Sequence, residues 1–170
     1  MIKIEDFREL EFKITWRLID IGFMGSETFR NELSSQEIID YAIFVCNNNI
    51  NDEDIINLAC EYSENIDKVD SYLKNLVSKE RTSNEIELKK WRVVYVKKQL
   101  SKPSTDFISG LIELGDIWAK FNFPEDSPHI FQGINNDITP EQYYTEENYK
   151  KLLKTHFIWL SDEISKLKTY

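Results

Sequence analysis

The chain has 170 residues, 41% hydrophobic and 13% aromatic, with a net charge of −9. Ten Phe, eight Tyr and four Trp argue against disorder, and five Gly and four Pro are too few for a turn-rich β-sandwich. The negative balance opposes phosphate backbones and anionic lipid surfaces, so neither nucleic acid nor membrane is an expected partner, whereas a basic protein is compatible.

The length suits one domain over residues 1–170. The N-terminal segment is acidic and lacks a signal-peptide core, and no apolar run approaches membrane-spanning length. A cytoplasmic protein is expected, with Cys46 and Cys60 reduced and read as small core residues.

Taken in order, residues 5–21 read as one helix with two stripes. Phe7, Leu10, Ile14, Leu18 and Ile21 mark one face; Phe12, Trp16, Ile19 and Phe23 mark a nearly opposite one. Two stripes predict a central helix packed from both sides. Ser34-Ser35-Gln36-Glu37 is a capping box, and Ile38, Ile39, Ala42, Ile43 and Cys46 follow as an apolar stripe. Asn51 is the predicted cap of the next helix, whose first turn holds Asp52, Glu53 and Asp54, acids favoured there by the helix dipole.

Residues 65–79 form the next predicted helix, with Val69, Tyr72, Leu73 and Leu76 inward. Thr82-Ser83-Asn84-Glu85 reads as a second capping box. The run Trp91-Arg92-Val93-Val94-Tyr95-Val96 has β character, but the cap and the Glu85–Lys89 spacing favour helix. Residues 104–121 predict a helix with Phe107, Leu111, Leu114, Trp118 and Phe121 on one stripe. A long connection follows over residues 124–137, rich enough in Phe and Ile to be ordered. Thr139-Pro140-Glu141-Gln142 is a third cap with Pro at the first helical position. A last helix starts near Thr145, with Tyr149, Leu152, Leu153, His156, Leu160, Ile164 and Leu167 inward. The expected fold is therefore all-α: a compact single-domain bundle of about seven helices with one long ordered loop.

Few residues suggest catalysis. Two His and two Cys show no metal-ligand spacing, so no metal and no cofactor is expected. No Gly-rich phosphate loop or nucleophile elbow is present. The one acid/base constellation is Asp126 and His129 with Glu113 or Asp116, which would make a hydrolase or a metal-assisted enzyme the alternative reading. The structural reading of the same loop has His129, Gln132, Asn135 and Asn136 holding it in shape, with His129 or Asn135 bonding backbone.

Two acidic runs could meet a basic partner. One is Asp52, Glu53, Asp54, Glu61, Glu64, Asp67 and Asp70. The other lies in residues 121–149, which hold six carboxylates and no Lys or Arg: Glu125, Asp126, Asp137, Glu141, Glu146 and Glu147, beside Tyr143 and Tyr144. The second is favoured, because aromatic anchors among charges make better hot spots than a solvated charged face.

Trp91-Arg92-Val93-Val94, Trp118-Ala119-Lys120-Phe121, Pro124-Glu125-Asp126-Ser127-Pro128-His129, Gln132-Gly133-x-Asn135-Asn136 and Tyr143-Tyr144 resemble a bacterial family known only as a domain of unknown function, DUF2247. Ile14-Thr15-Trp16-Arg17 is similar too. The resemblance covers nearly the whole chain and brings no catalytic motif. Some relatives resemble small cytoplasmic proteins encoded beside polymorphic toxins, which implies an immunity role. The expected function is a non-enzymatic, acidic, cytoplasmic protein-binding domain that neutralises a basic toxin.

Overall fold

A computed structural model describes residues 1–48 and 52–170; the predicted cap Asn51 lies outside them. Among the described residues all regular structure is helical. Seven helices have seven or more residues: α2 (Trp16–Met24), α3 (Ser35–Asn47), α4 (Glu53–Ala59), α5 (Ile66–Lys79), α6 (Asn84–Leu100), α7 (Phe107–Ala119) and α9 (Glu146–Leu167). Two short ones, α1 (Ile4–Arg8) and α8 (Pro140–Tyr143), complete the set. The chain divides into two compact units, residues 1–91 with Tyr170 and residues 92–169; the division falls inside α6.

In the first unit the predicted helix over residues 5–21 is two helices. The chain leaves α1 through Glu11, whose φ of 58° is left-handed. Thr15 then caps α2, its hydroxyl accepting from the Leu18 amide at 3.0 Å. The Glu80 carboxylate accepts from the amides of Trp16 (2.9 Å) and Arg17 (3.0 Å), so three orphan amides of α2 are satisfied. The stripes are drawn from α1, the link between the helices and α2: Phe7 of α1, Leu10 and Phe12 of the link, and Leu18, Ile19 and Ile21 of α2 are all buried. The Ser34–Glu37 box forms as expected, with Ser34 Oγ accepting from the Glu37 amide and Glu37 accepting from the Ser34 amide. Asp52 caps α4 by accepting from the Asp54 amide at 2.9 Å. Helices α3, α4 and α5 pack in succession, with α2 on α5. Cys60, read from the sequence as a core residue, is exposed at the end of α4, while Cys46 is half-buried.

The second expected cap does not form. The Thr82 hydroxyl is buried without a hydrogen-bond partner, and α6 starts two residues later. The β-like run is nevertheless helical, and Lys89 pairs with Glu85 at 2.8 Å. Its non-helical pattern has a simple cause: Trp91, Arg92, Val93, Val94 and Val96 are all buried, so no solvent stripe interrupts the apolar residues. Trp91 centres the first unit's core, edge-on to Phe7 at 4.8 Å and donating from its indole to the Leu18 carbonyl at 2.9 Å.

In the second unit α7 packs on α9. Asp106 caps α7 by accepting from the Ser109 amide, and Thr145 caps α9 by accepting from the Asn148 amide. The close approach of the two helices requires a residue without a Cβ at position 110: any Cβ on Gly110 would overlap the Tyr149 ring. Tyr149 in turn donates its hydroxyl to the Ser104 carbonyl at 2.8 Å. Leu111, Leu114, Ile117 and Trp118 of α7 and Leu152, His156 and Leu160 of α9 are buried. Between α7 and α8 runs the long connection.

Candidate functional site

The connection is built as a braced loop. Left-handed backbone at Asn122 (φ 55°) and Phe123 (φ 52°) reverses the chain after Phe121. A second left-handed pair, Gly133 (φ 73°) and Asn135 (φ 55°), turns it back. Asn136 holds that turn: its amide donates to the carbonyls of Phe131 (2.8 Å) and Ile134 (2.7 Å), and its oxygen accepts from the amides of Gly133 and Ile138, both at 3.2 Å. Gln132 donates to the Ile138 carbonyl at 3.0 Å. Thr139 and Gln142 then form the expected capping box of α8. Gln132 and Asn136 brace the loop through these side-chain bonds. Asn135 contributes left-handed backbone rather than a side-chain bond.

His129 anchors the loop to the helices, through a side chain rather than the expected backbone group. Its Nε2 meets the Tyr143 hydroxyl at 2.9 Å, while its backbone amide donates to Ser127 Oγ. The ring lies edge-on to Phe131 at 4.4 Å and to His156 at 5.5 Å. His156 accepts from the Trp118 indole at Nε2 (2.7 Å), so its proton sits on Nδ1, which donates to the Leu152 carbonyl at 2.7 Å. Both imidazoles are held neutral. Burial pushes the His129 pKa down to about 4, helped by the neighbouring His156. Burial also lowers that of His156, against the bond to Leu152. Nδ1 of His129 is buried without a partner, so an imidazolium there would lack an acceptor. Tyr143 is raised to about 12, first by burial and then by Tyr144.

The proposed acid/base residues are not gathered by these contacts. Glu113 and Asp116 are exposed on α7. Asp126 forms a two-pronged ion pair with Arg92, whose guanidinium lies 5.5 Å from the Trp159 ring. His129 is committed to Tyr143. Among the described residues no group of three or more His, Cys, Asp or Glu side chains is placed to hold a metal ion.

The partner-binding candidates divide. Tyr143 is 5% exposed and belongs to the core beneath the loop, so it is no surface anchor; its hydroxyl found a partner in His129. Tyr144, edge-on to it at 5.1 Å, is 42% exposed. Asp126 is taken by Arg92, and Glu146 pairs with Lys150 at 2.6 Å. Glu125, Asp137, Glu141 and Glu147 are exposed and make no ion pair among the described residues. Three apolar residues that the sequence counts towards packing this segment are instead turned out: Phe123, Ile130 and Ile134 are 51%, 45% and 57% exposed. None of them lies in a helix, so their i, i+7, i+11 spacing sets no common face, and the turn geometry turns them outward.

The other acidic run is largely neutralised within the chain. Lys79 binds Asp52 and Asp54, each at 2.7 Å; Lys68 pairs with Glu61 and Lys74 with Asp70.

The family model described as an uncharacterized protein conserved in bacteria (DUF2247) matches residues 4–164. The chain belongs to the DUF2247 family. Comparison with curated proteins and with solved structures returned no match. The match takes in both units and the whole braced loop, so the loop is part of the DUF2247 domain. Among the described residues of this DUF2247 protein, no helix is long and apolar enough to cross a membrane.

Proposed function

We propose that this DUF2247 protein is a non-enzymatic binding protein of the cytoplasm whose braced loop captures a basic protein partner, a toxin that it neutralises. One observation carries the reading. Phe123, Ile130, Ile134 and Tyr144 stand exposed on a segment fixed by side-chain bonds, among Glu125, Asp137, Glu141 and Glu147. A fixed loop loses little conformational entropy on binding, so its apolar contacts convert efficiently into affinity. The carboxylates steer a basic partner, and the apolar side chains slow its release. The net charge of −9 adds a long-range attraction of the same sign. The toxin assignment rests on the family resemblance and the neighbourhood of some relatives.

The test is a pull-down from native cytoplasm with the wild-type chain and with an Asp137→Lys/Glu141→Lys/Glu147→Lys variant, followed by co-expression with any toxin encoded next door. A basic protein retained by the wild type and lost by the variant, with toxicity relieved only by the wild type, is the expected result. No partner, or equal retention by both chains, removes the proposal.

A further inference from the structure

Helix α9 has a second apolar face, opposite in role to its buried one. Lys150, Leu153, Lys154, Phe157, Ile158 and Ser161 line a shallow trough of about 450 Å³ on its outer side. Phe157 is 46% and Ile158 53% exposed. The spacing of these residues is that of a helix face built to meet another helix. The inner face already covers α7 through Tyr149, Leu152, His156 and Leu160, so the outer stripe has no task within its own helix pair.

The charges along this stripe say what covers it. Lys154 and Asp162 lie four residues before and four residues after Ile158, on one ridge. Both are exposed, and neither makes an ion pair among the described residues, although the neighbouring Lys150 and Glu163 are both paired. The centre of this ridge reads positive, apolar, negative and is self-complementary when turned end for end, while Lys150 and Lys166 at its ends are neutralised by Glu146 and Glu163. With two α9 helices antiparallel about a two-fold axis at Ile158, each Lys154 meets the other copy's Asp162. The two Ile158 side chains then touch on the axis, flanked by the Phe157 rings. An isologous contact of this kind satisfies both charges at once and closes on itself. An acidic partner helix would satisfy Lys154 but not Asp162, and an anionic lipid surface would repel Asp162.

We infer that a second copy of this chain covers the outer face of α9, giving an antiparallel two-fold dimer centred on Ile158. A single helix pair buries less than the ~1,200 Å² of a standard interface, so the dimer is weak, with a dissociation constant on the order of micromolar. Sedimentation equilibrium of the full chain across the micromolar range tests it. The wild type should pass from monomer to dimer, and Ile158→Glu should remain monomeric. Lys154→Asp and Asp162→Lys, each alone, turn two attractions into repulsions and should weaken association roughly tenfold. The double reversal Lys154→Asp/Asp162→Lys restores opposite charges and should recover the wild-type constant. All three positions are exposed, and circular dichroism of each of the four variants verifies the fold. A wild type that stays monomeric throughout overturns the inference and leaves the face to another protein. A dimer indifferent to Ile158→Glu, or a double reversal no better than the singles, overturns it too.

Discussion

Each unit is built on a tryptophan, and the two are anchored by different chemistry. Trp91 in the first donates its indole N–H to a backbone carbonyl, that of Leu18. Trp118 in the second donates to the imidazole of His156, next to His129. A carbonyl accepts at any pH, whereas an imidazole accepts only while neutral. The first unit also buries an ionisable pair, Lys90 and Glu87, with Lys90 donating to the Lys13 carbonyl at 3.1 Å. Burial raises the Glu87 pKa, so its protonated form suits the fold. The same acid that favours Glu87 therefore attacks the histidines. The braced loop hangs on the histidine side of this contrast.

The largest way to break the contrast is to remove a ring. Trp118→Ala should cost roughly 3–5 kcal/mol, and Trp91→Ala a similar amount, in chemical denaturation. Trp118→Phe sharpens it, because it keeps most of the apolar volume but leaves Nε2 of His156 buried without a donor. Trp91→Phe removes only the indole bond to the Leu18 carbonyl, which keeps its place in the α2 ladder, so it should lose about 1 kcal/mol against about 1–3 kcal/mol for Trp118→Phe. Only the Trp118 variant should change the ring-nitrogen chemical shifts of His156.

Acid comes next. The folded-state pKa of His129 lies near 4, below the unfolded value near 6.5, so the folded chain binds fewer protons. Its contribution is complete above about pH 6.5 and is lost as pH falls towards 4, a change of up to about 3 kcal/mol. His156 is shifted in the same direction and adds to the loss. For Glu87 the sign reverses: its contribution is present below the unfolded carboxyl pKa and lost as pH rises through the raised folded value. Hydrogen exchange at pH 7 and pH 5 should show protection falling around His129 and His156 while amides near Trp91 hold.

A smaller effect is expected at Asn136. Asn136→Ala removes four side-chain bonds from the turn and should cost about 1–3 kcal/mol, with new proteolytic cutting inside residues 130–138. Asn135→Gly relieves a left-handed φ and should be neutral or slightly stabilising. Smallest is Glu80→Gln, which weakens the charge at the start of α2 by about 1 kcal/mol in thermal denaturation while leaving the second unit untouched.

What the sequence made legible was local. The caps at Ser34, Thr139 and Thr145 depend on residues within three positions, and they formed where their spacing placed them. The all-helical class followed from the stripes. The break between α1 and α2 was hidden because one of its causes, Glu80, lies 64 residues from Trp16. The burial of Tyr143 was hidden for the same reason, since its partner His129 stands 14 residues away across a loop with no period. Arg92 looked like one base among many, and only its ion pair with Asp126 withdraws that carboxylate from the exposed face. The absence of Lys and Arg from 121–149 needs no structure to be seen, whereas which of its carboxylates are paired does.

The most direct measurement of the proposed function is the association rate of the chain with a basic protein retained in the pull-down, taken as a function of ionic strength. On the proposed reading the wild type should associate fast at low salt and slow steeply as salt rises, with the carboxylates of the braced loop and of the helices α8 and α9 that follow it steering the encounter. The Asp137→Lys/Glu141→Lys/Glu147→Lys variant should associate more slowly, with a flattened salt dependence. An unchanged rate and an unchanged salt slope in that variant would contradict the assignment of the binding face to the loop.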